Sequence, residues 1–122
     1  MELAKIGATP KGGVRRLALT DLDGQGRDLV VGWLRETGRP ASKSTVLATS
    51  LRRGPGRDSG GAVVLTGSHI DTQPSGGKFD GNYGVLAGLE VLRTLNDAGI
   101  VTDKPVGRRD MDQRGGHVAS SR

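Results

Sequence analysis

Residues 62–99 read AVVLTGSHIDTQPSGGKFDGNYGVLAGLEVLRTLNDAG, and this stretch decides the fold class. Ala62–Leu65 is a short apolar run bounded by glycines, which predicts a buried strand of a parallel or mixed sheet. A polar loop over Thr66–Phe79 follows, and the spacing predicts a helix over Gly81–Ala98 that ends at Gly99. In α/β domains, sites form outside the carboxyl ends of strands, so the loop lies where a site is expected.

A second helix is predicted upstream, over Asp21–Gly38, with Thr20 or Asp21 capping its start and Gly38 at its end. The apolar positions of the two helices recur at about helical spacing: Leu22, Leu29, Val30, Trp33 and Leu34 in the first, and Val85, Leu86, Leu89, Leu92 and Leu95 in the second. Interior glycines argue against the first helix, since each costs about 1 kcal/mol relative to alanine; they are Gly24, Gly26 and Gly32. The order helix, strand, loop, helix predicts an α/β sheet domain.

The composition limits the size of the core and the classes of site. The chain has 122 residues, enough for one domain, but aromatic residues make up 2% and glycines number 21, so we expect a core of marginal stability. The absence of cysteine excludes disulfides and thiolate metal sites and fits a cytoplasmic protein. No apolar run approaches membrane-spanning length, and Met1–Lys11 lacks a signal-peptide pattern, so we expect no membrane partner.

The net charge of +5 raises an alternative function, a small basic module that binds nucleic acid or another anion. The positive charge is concentrated in residues 39–57 and 104–122, which contain ten basic and two acidic residues, whereas the remainder contains eight basic and eleven acidic residues. Nucleic-acid binding also commonly uses aromatic stacking platforms, and the chain has one Phe, one Tyr and one Trp. We therefore expect no nucleic-acid partner.

The loop after the predicted strand contains a candidate metal site. In an extended stretch, residues i and i+2 point to the same side, so His69 and Asp71 can share a face, with the carboxylate fixing the imidazole tautomer. Gly76 and Gly77 permit a tight reversal that brings Asp80 back toward His69. Imidazole and carboxylate are good ligands for zinc, manganese or cobalt. A single loop histidine is nevertheless more often a surface residue, and an aspartate before a helix is more often a cap, so the spacing alone leaves both interpretations open.

The longer pattern resembles a known family. Thr66–Leu89, TGSHIDTQPSGGKFDGNYGVLAGL, is similar to the signature of the N-carbamoyl-L-amino acid hydrolase, β-ureidopropionase and allantoate amidohydrolase group, within the di-zinc aminoacylase and carboxypeptidase-like metallopeptidase family. The resemblance extends through Ile6–Pro10, Gly12–Gly38 and Glu90–Ile100, which together make up most of the chain. It implies a truncated α/β fold, part of a zinc-peptidase-like catalytic domain with a mixed sheet flanked by helices.

The resemblance also implies a role for each matching residue. It makes His69 a ligand of one metal ion, Asp80 the bridge between two ions, and Asp71 the residue that orients His69. It assigns lesser roles to five further residues, with Gly76, Gly77 and Gly81 shaping the loop and Gln73 and Asn82 bordering the substrate pocket. For the last two, a hydrogen-bonded loop residue and a first-turn helix residue are equally good interpretations.

The activity implied is that of a metal-dependent amidohydrolase, which cleaves linear carbon–nitrogen bonds in N-carbamoyl-L-amino acids, ureidopropionate or allantoate. Two divalent ions, of zinc or of manganese, cobalt or nickel, would acidify a bridging water and polarise the substrate carbonyl, and a glutamate would act as general base. The implied partners are a small ureido or carbamoyl substrate and, in the full-length family, a second subunit. We expect no homodimer of the present chain.

The general base and the remaining metal ligands are missing from the pattern. The family's next motif, Thr-Asn-Glu-Glu-Gly, does not occur; Glu90 lies in the middle of a predicted helix, and His117 lies in a Gly/Arg-rich tail. We therefore expect residues 1–105 to be the N-terminal part of a catalytic domain and residues 106–122 to be a disordered basic tail. On this basis we expect weak or no metal binding and no activity from the chain.

A disrupted reading frame explains both basic segments. One permitted coding of Asp110–Gly116, shifted by one base, encodes Thr-Trp-Thr-Asn-Glu-Glu, the beginning of the missing motif. One permitted coding of Lys43–Leu51, read in another frame, encodes Val-Asp-Arg-Leu-Gly-Asn-Ile-Phe-Ala, a strand typical of the family. We hypothesise that residues 39–54 and 106–122 are out of frame. The alternative is a divergent loop followed by a basic tail.

Sequencing the coding DNA tests this hypothesis. When the DNA for Asp110–Gly116 is read with the frame shifted by one base, it should encode the missing motif. The DNA beyond the codon for Arg122 should encode the rest of a hydrolase. Codons for Asp110–Gly116 that yield the motif in no frame would contradict the hypothesis.

Overall fold

The computed structural model of the chain describes residues 1–37, 41–44, 48–51, 64–104 and 106–110. A short 3-10 helix, Glu2–Ala4, precedes the main elements. In chain order the main elements are α1 Asp21–Glu36, β1 Ala41–Ser44, β2 Ala48–Leu51, β3 Val64–Ser68, α2 Asn82–Asp97 and β4 Val106–Asp110. Within these ranges, no helix is long and apolar enough to cross a membrane.

The strands form a mixed sheet in the order β1-β2-β4-β3, so the predicted α/β class is confirmed. β1 and β2 pair antiparallel, as do β2 and β4, while β3 and β4 run parallel, with Val64 opposite Val106. The carboxyl end of β3 therefore lies beside that of β4, with Ser68 opposite Asp110. The candidate loop leaves the sheet at this edge.

The sheet corrects two predictions. β3 continues to Ser68, three residues beyond the predicted strand end at Leu65, so the loop begins at His69. The prediction of a disordered tail from residue 106 is wrong for Val106–Asp110, because backbone pairing with β3 and β2 makes a strand of this polar segment. The rest of the predicted tail, residues 111–122, lies outside the described residues, as do the first two residues of the predicted strand at 62 and 63.

Helix α2 follows its predicted bounds to within one residue at each end. Val85, Leu89 and Leu92 of its apolar face are buried. Gly99 has a φ of 62°, and the N–H of Ile100 donates to the carbonyl of Leu95 at 2.9 Å, which is the geometry of a glycine-terminated helix. The predicted end of this helix is therefore confirmed.

Helix α1 begins as predicted, with the Thr20 hydroxyl accepting from the N–H of Asp23 at 3.4 Å. It ends at a Thr37 cap, and the cap predicted at Gly38 lies outside the described residues. Side chains from α1 and α2 join one buried cluster, made up of Leu3, Val30, Leu34, Ile70, Val85, Leu89 and Leu92. Val106 of β4 packs against this cluster.

The segment before α1 runs along the candidate loop. Val14 and Gly76 exchange backbone hydrogen bonds of 2.9 and 3.1 Å. The N–H of Thr72 donates to the carbonyl of Arg16 at 2.6 Å, and the N–H of Arg16 donates to the Thr72 hydroxyl at 2.7 Å. The N-terminal segment thus runs alongside the first half of the loop and is hydrogen-bonded to it, much like a neighbouring β-strand.

Arg16 is fully buried, and its guanidinium connects three parts of the chain. Its Nε donates to the carbonyl of Ile70 at 2.9 Å, and its Nη2 donates to Oδ1 of Asn82 at 3.0 Å. Its Nη1 donates to the carbonyls of Leu3 and Ile6 at 2.9 and 2.8 Å. The N-terminal turn, the loop and the start of α2 therefore meet at one side chain.

The aliphatic part of the Arg16 side chain also explains why helix α1 contains a glycine at position 26, which the sequence analysis counted against the helix. A Cβ at Gly26 would lie 2.9 Å from Cδ of Arg16, whereas a Cβ at Gly32 would meet nothing within 4 Å. Only the first of these two glycines is required by packing.

Replacing each of the two glycines by alanine tests this distinction. We expect Gly26→Ala to lower the free energy of unfolding by about 1–3 kcal/mol through overpacking against an immobile side chain. Gly32→Ala should raise it by about 0.5–1 kcal/mol through helix propensity. Urea denaturation followed by circular dichroism measures both changes. Equal effects of the two substitutions would contradict the packing of Arg16 against α1.

Candidate metal site

His69 is the first residue after β3, and its ring is fixed by Asp71. Nδ1 lies 3.0 Å from the backbone carbonyl oxygen of Asp71 and 3.4 Å from Oδ1 of the Asp71 carboxylate. A carbonyl oxygen only accepts hydrogen bonds, so Nδ1 carries the proton and a neutral ring has its lone pair on Nε2. The nearer acceptor is thus the backbone of Asp71, whereas the sequence prediction relied on its carboxylate.

Nε2 of His69 faces the second candidate ligand, with Oδ1 of Asp80 at 3.9 Å. Two ligand atoms that each lie about 2.1 Å from a zinc ion are at most about 4.2 Å apart, so one cation can contact both. The Asp80 side chain is 32% exposed and that of His69 is 17% exposed, so the shared edge is accessible from solvent. Donor types, tautomer and spacing all fit a divalent metal ion.

The Asp71 carboxylate is almost completely buried, and its Oδ1 makes no hydrogen bond. A buried oxygen in this state is unusual, because buried polar groups are nearly always satisfied. The His69 ring lies 3.4 Å from this oxygen, and a cation on Nε2 would strengthen the attraction between that ring and the carboxylate. The orphaned oxygen is therefore a second observation that fits a metal on His69.

Gly81 is the position that allows the two ligands to approach. It is the N-cap of α2, has a φ of 69°, and packs directly on the His69 ring, so that a Cβ there would collide with Cε1 and Nδ1. A Cβ at Gly76 would lie 2.9 Å from Cβ of Thr72, which explains a glycine where the loop meets the N-terminal segment.

The structure gives no support to the shaping role predicted for Gly77. Its φ lies outside the left-handed region, and a Cβ there would meet nothing within 4 Å. Of the three glycines predicted to shape the loop, Gly76 and Gly81 are the two at which a Cβ would collide with a neighbour.

The two predicted pocket residues lie in different environments. Gln73 is exposed at the loop surface, and its contact with substrate stays a prediction. Asn82 is fully buried, and both polar atoms of its side chain are hydrogen-bonded. Its Oδ1 accepts from Arg16, and its Nδ2 donates to the carbonyl of Lys78 at 3.0 Å. Asn82 therefore has a structural role here and offers no exposed group to a substrate.

The site is incomplete within the described part of the chain. There, no group of three or more His, Cys, Asp or Glu side chains comes together around a cation position. Two residues that hold the loop were not predicted: Arg16 of the N-terminal segment and Thr72 of the loop, which are joined by hydrogen bonds. Their partners lie 54 and 56 residues away, and no sequence spacing indicates such contacts.

Several known proteins similar to this chain are amidohydrolases. It is 50% identical over 106 residues to the N-carbamoyl-L-amino-acid amidohydrolase of Rhizobium meliloti, a match that covers 87% of the chain and 25% of that protein. It is 38% identical over 97 residues to the allantoate amidohydrolase of Bacillus subtilis, covering 78% of the chain and 23% of that protein. A comparison with models of known protein families gives no match.

Solved structures agree with this relationship. A hydantoinase/carbamoylase family amidase from Burkholderia ambifaria superposes with a TM-score of 0.85 and 60% identity, over 89% of this chain and 26% of that one. The resemblance identified from Thr66–Leu89 is therefore confirmed at the level of the family. The chain spans about a quarter of the length of the curated relatives it matches.

Substitution of two loop glycines tests the geometry of the site. We expect Gly81→Ala to destabilise the fold by at least about 1–2 kcal/mol, because its φ disfavours any side chain, and to displace the His69 ring. Gly77→Ala should change stability by less than about 0.5 kcal/mol. Thermal melts and the ring 15N signals of His69 are the measurements. A Gly81→Ala chain with the melt and ring signals of the wild type would refute the contact.

Proposed function

We propose that this chain, which is similar to the hydantoinase/carbamoylase family amidases, is the segment of a metal-dependent amidohydrolase that carries the ligands His69 and Asp80. The observation that supports the proposal is the position of Nε2 of His69, 3.9 Å from the Asp80 carboxylate, with Nδ1 occupied by Asp71. In this proposal, the mixed sheet and its helices are part of a zinc-peptidase-like catalytic domain.

The residues of this chain hold and orient the reacting centre. His69 and Asp80 supply one nitrogen and one carboxylate to a pair of divalent ions, of zinc or of manganese, cobalt or nickel. Asp71 keeps the His69 proton on Nδ1, which leaves Nε2 unprotonated toward Asp80. When bound, the ions supply a Lewis acid that acidifies water and polarises a carbonyl.

The proposed substrate is a small molecule with a carbamoyl or ureido group on a linear carbon–nitrogen bond. The names of the relatives support this class, since one acts on N-carbamoyl-L-amino acids and another on allantoate. Hydrolysis of a carbamoyl amino acid would release ammonia, carbon dioxide and the amino acid.

The reaction requires more groups than this segment supplies. Hydrolysis by a metal-bound water needs a general base within hydrogen-bonding reach of that water. After the loop, the sequence contains a single glutamate, Glu90, which lies on an exposed position of α2. We therefore propose that the chain binds metal weakly with two ligands and does not turn over substrate by itself.

A cobalt titration tests the ligand assignment. The visible absorption of Co²⁺ should report weak binding to the wild-type chain, and His69→Ala and Asp80→Asn should each reduce the affinity at least tenfold, because each removes half of the ligand set. Asp97→Asn, at the opposite end of α2, is the matched control and should bind like the wild type. Equal affinity of the wild type and His69→Ala would refute the metal site.

An ammonia-release assay tests the predicted inactivity in the same samples. We expect no release from N-carbamoyl amino acids by the chain at any cobalt or zinc concentration. Release that a chelator abolishes and that His69→Ala lacks would show that the segment is active by itself.

A further inference from the structure

The two candidate ligands lie on separate segments, and Arg16 is bound to both. The Ile70 carbonyl, which accepts from Nε of Arg16, lies between His69 and Asp71 in the chain. Asn82, which accepts from Nη2, is two residues after Asp80. The guanidinium therefore connects the start of the loop, next to His69, with the end of the loop, next to Asp80.

The guanidinium suits this task because of its shape. It is planar and presents five N–H donors in a fixed fork, so two acceptors bound to its edges are held at a set separation. In this chain, four hydrogen bonds from three nitrogens link Arg16 to Leu3, Ile6, Ile70 and Asn82. A lysine ammonium is a point charge on a flexible stem and does not fix the distance between two acceptors in this way.

The charge of Arg16 also acts on the site. Burial lowers the pKa of the guanidinium, while the nearby carboxylates of Asp23 and Asp71 act in the opposite direction. Asp71 is the residue whose backbone and carboxylate lie against Nδ1 of His69. The Arg16 charge therefore interacts with the residue that lies against the His69 ring.

We propose that Arg16 is the positioning residue of the metal site, which sets the His69 ring and the Asp80 segment in register before any metal binds. The proposal rests on the proposed function for the identity of the ligands. A purely structural Arg16 would contribute to stability alone, whereas a positioning residue also determines the His69 tautomer and the affinity for metal.

Arg16→Lys is the principal test, since it keeps the charge and removes the planar fork. In the metal-free chain, two-dimensional 15N spectra of the His69 ring should change from a single Nδ1–H tautomer to a mixture. The Co²⁺ affinity of the folded variant should fall about 10- to 100-fold, the range found when residues behind a metal ligand are altered. Arg15→Lys, the same change at an exposed neighbouring side chain, should leave both readouts unchanged.

Gly26→Ala is the second variant. It displaces the Arg16 stem from the side of α1 and leaves the loop sequence intact, so it should shift the His69 tautomer in the same direction as Arg16→Lys. Melting curves establish which variants are folded at the temperature of measurement. If Arg16→Lys does not fold, Gly26→Ala decides the question.

The outcomes separate the two proposals. A folded Arg16→Lys or Gly26→Ala chain with the wild-type tautomer and affinity would overturn the positioning role. A wild-type chain that binds no cobalt would overturn the proposed metal function, while the tautomer of its metal-free His69 ring would still test Arg16.

Discussion

The buried guanidinium of Arg16 is the constraint on which the arrangement of this chain depends. A buried charge is strongly destabilising unless hydrogen bonds and nearby opposite charges compensate it, so its partners must remain in place while the protein is folded. Three of these partners are backbone carbonyls, at Leu3, Ile6 and Ile70, and the fourth is the amide of Asn82. The N-terminal turn, the loop after β3 and the first turn of α2 are thereby tied into one unit.

The candidate site follows from that unit and from one close contact. The side chain of Ile70 lies in the core while its carbonyl accepts from Arg16, so the backbone is held between His69 and Asp71. At the other end of the loop, Gly81 rests on the His69 ring and brings Asp80 to Nε2. Two candidate ligands and the group that sets the tautomer of His69 thus lie together.

The sequence predicted the elements that have a strong period and missed those that depend on distant contacts. The apolar spacing of α2 and the glycine after it located this helix to within one residue at each end. β4 was missed because Val-Gly-Arg-Arg-Asp is polar, and pairing with β3 rather than propensity makes it a strand. Arg16 was missed because three of its acceptors are backbone groups, which leave no signature in the sequence. Gly26 argued against α1 for a reason that only the Arg16 stem explains.

Aligning the two proposed ligands requires a shorter stretch of chain than catalysis does. The proposed ligands lie within residues 69–82, and one upstream arginine is hydrogen-bonded to the backbone or side chains on both sides of them. Catalysis requires interactions that strengthen in the transition state, and these need a base and further ligands facing the same cation from other directions. Within the described residues, no group of three such side chains is placed to hold a cation. The contacts of the fold therefore position His69 and Asp80, whereas the proposed hydrolysis also requires a general base and further metal ligands around the same cation.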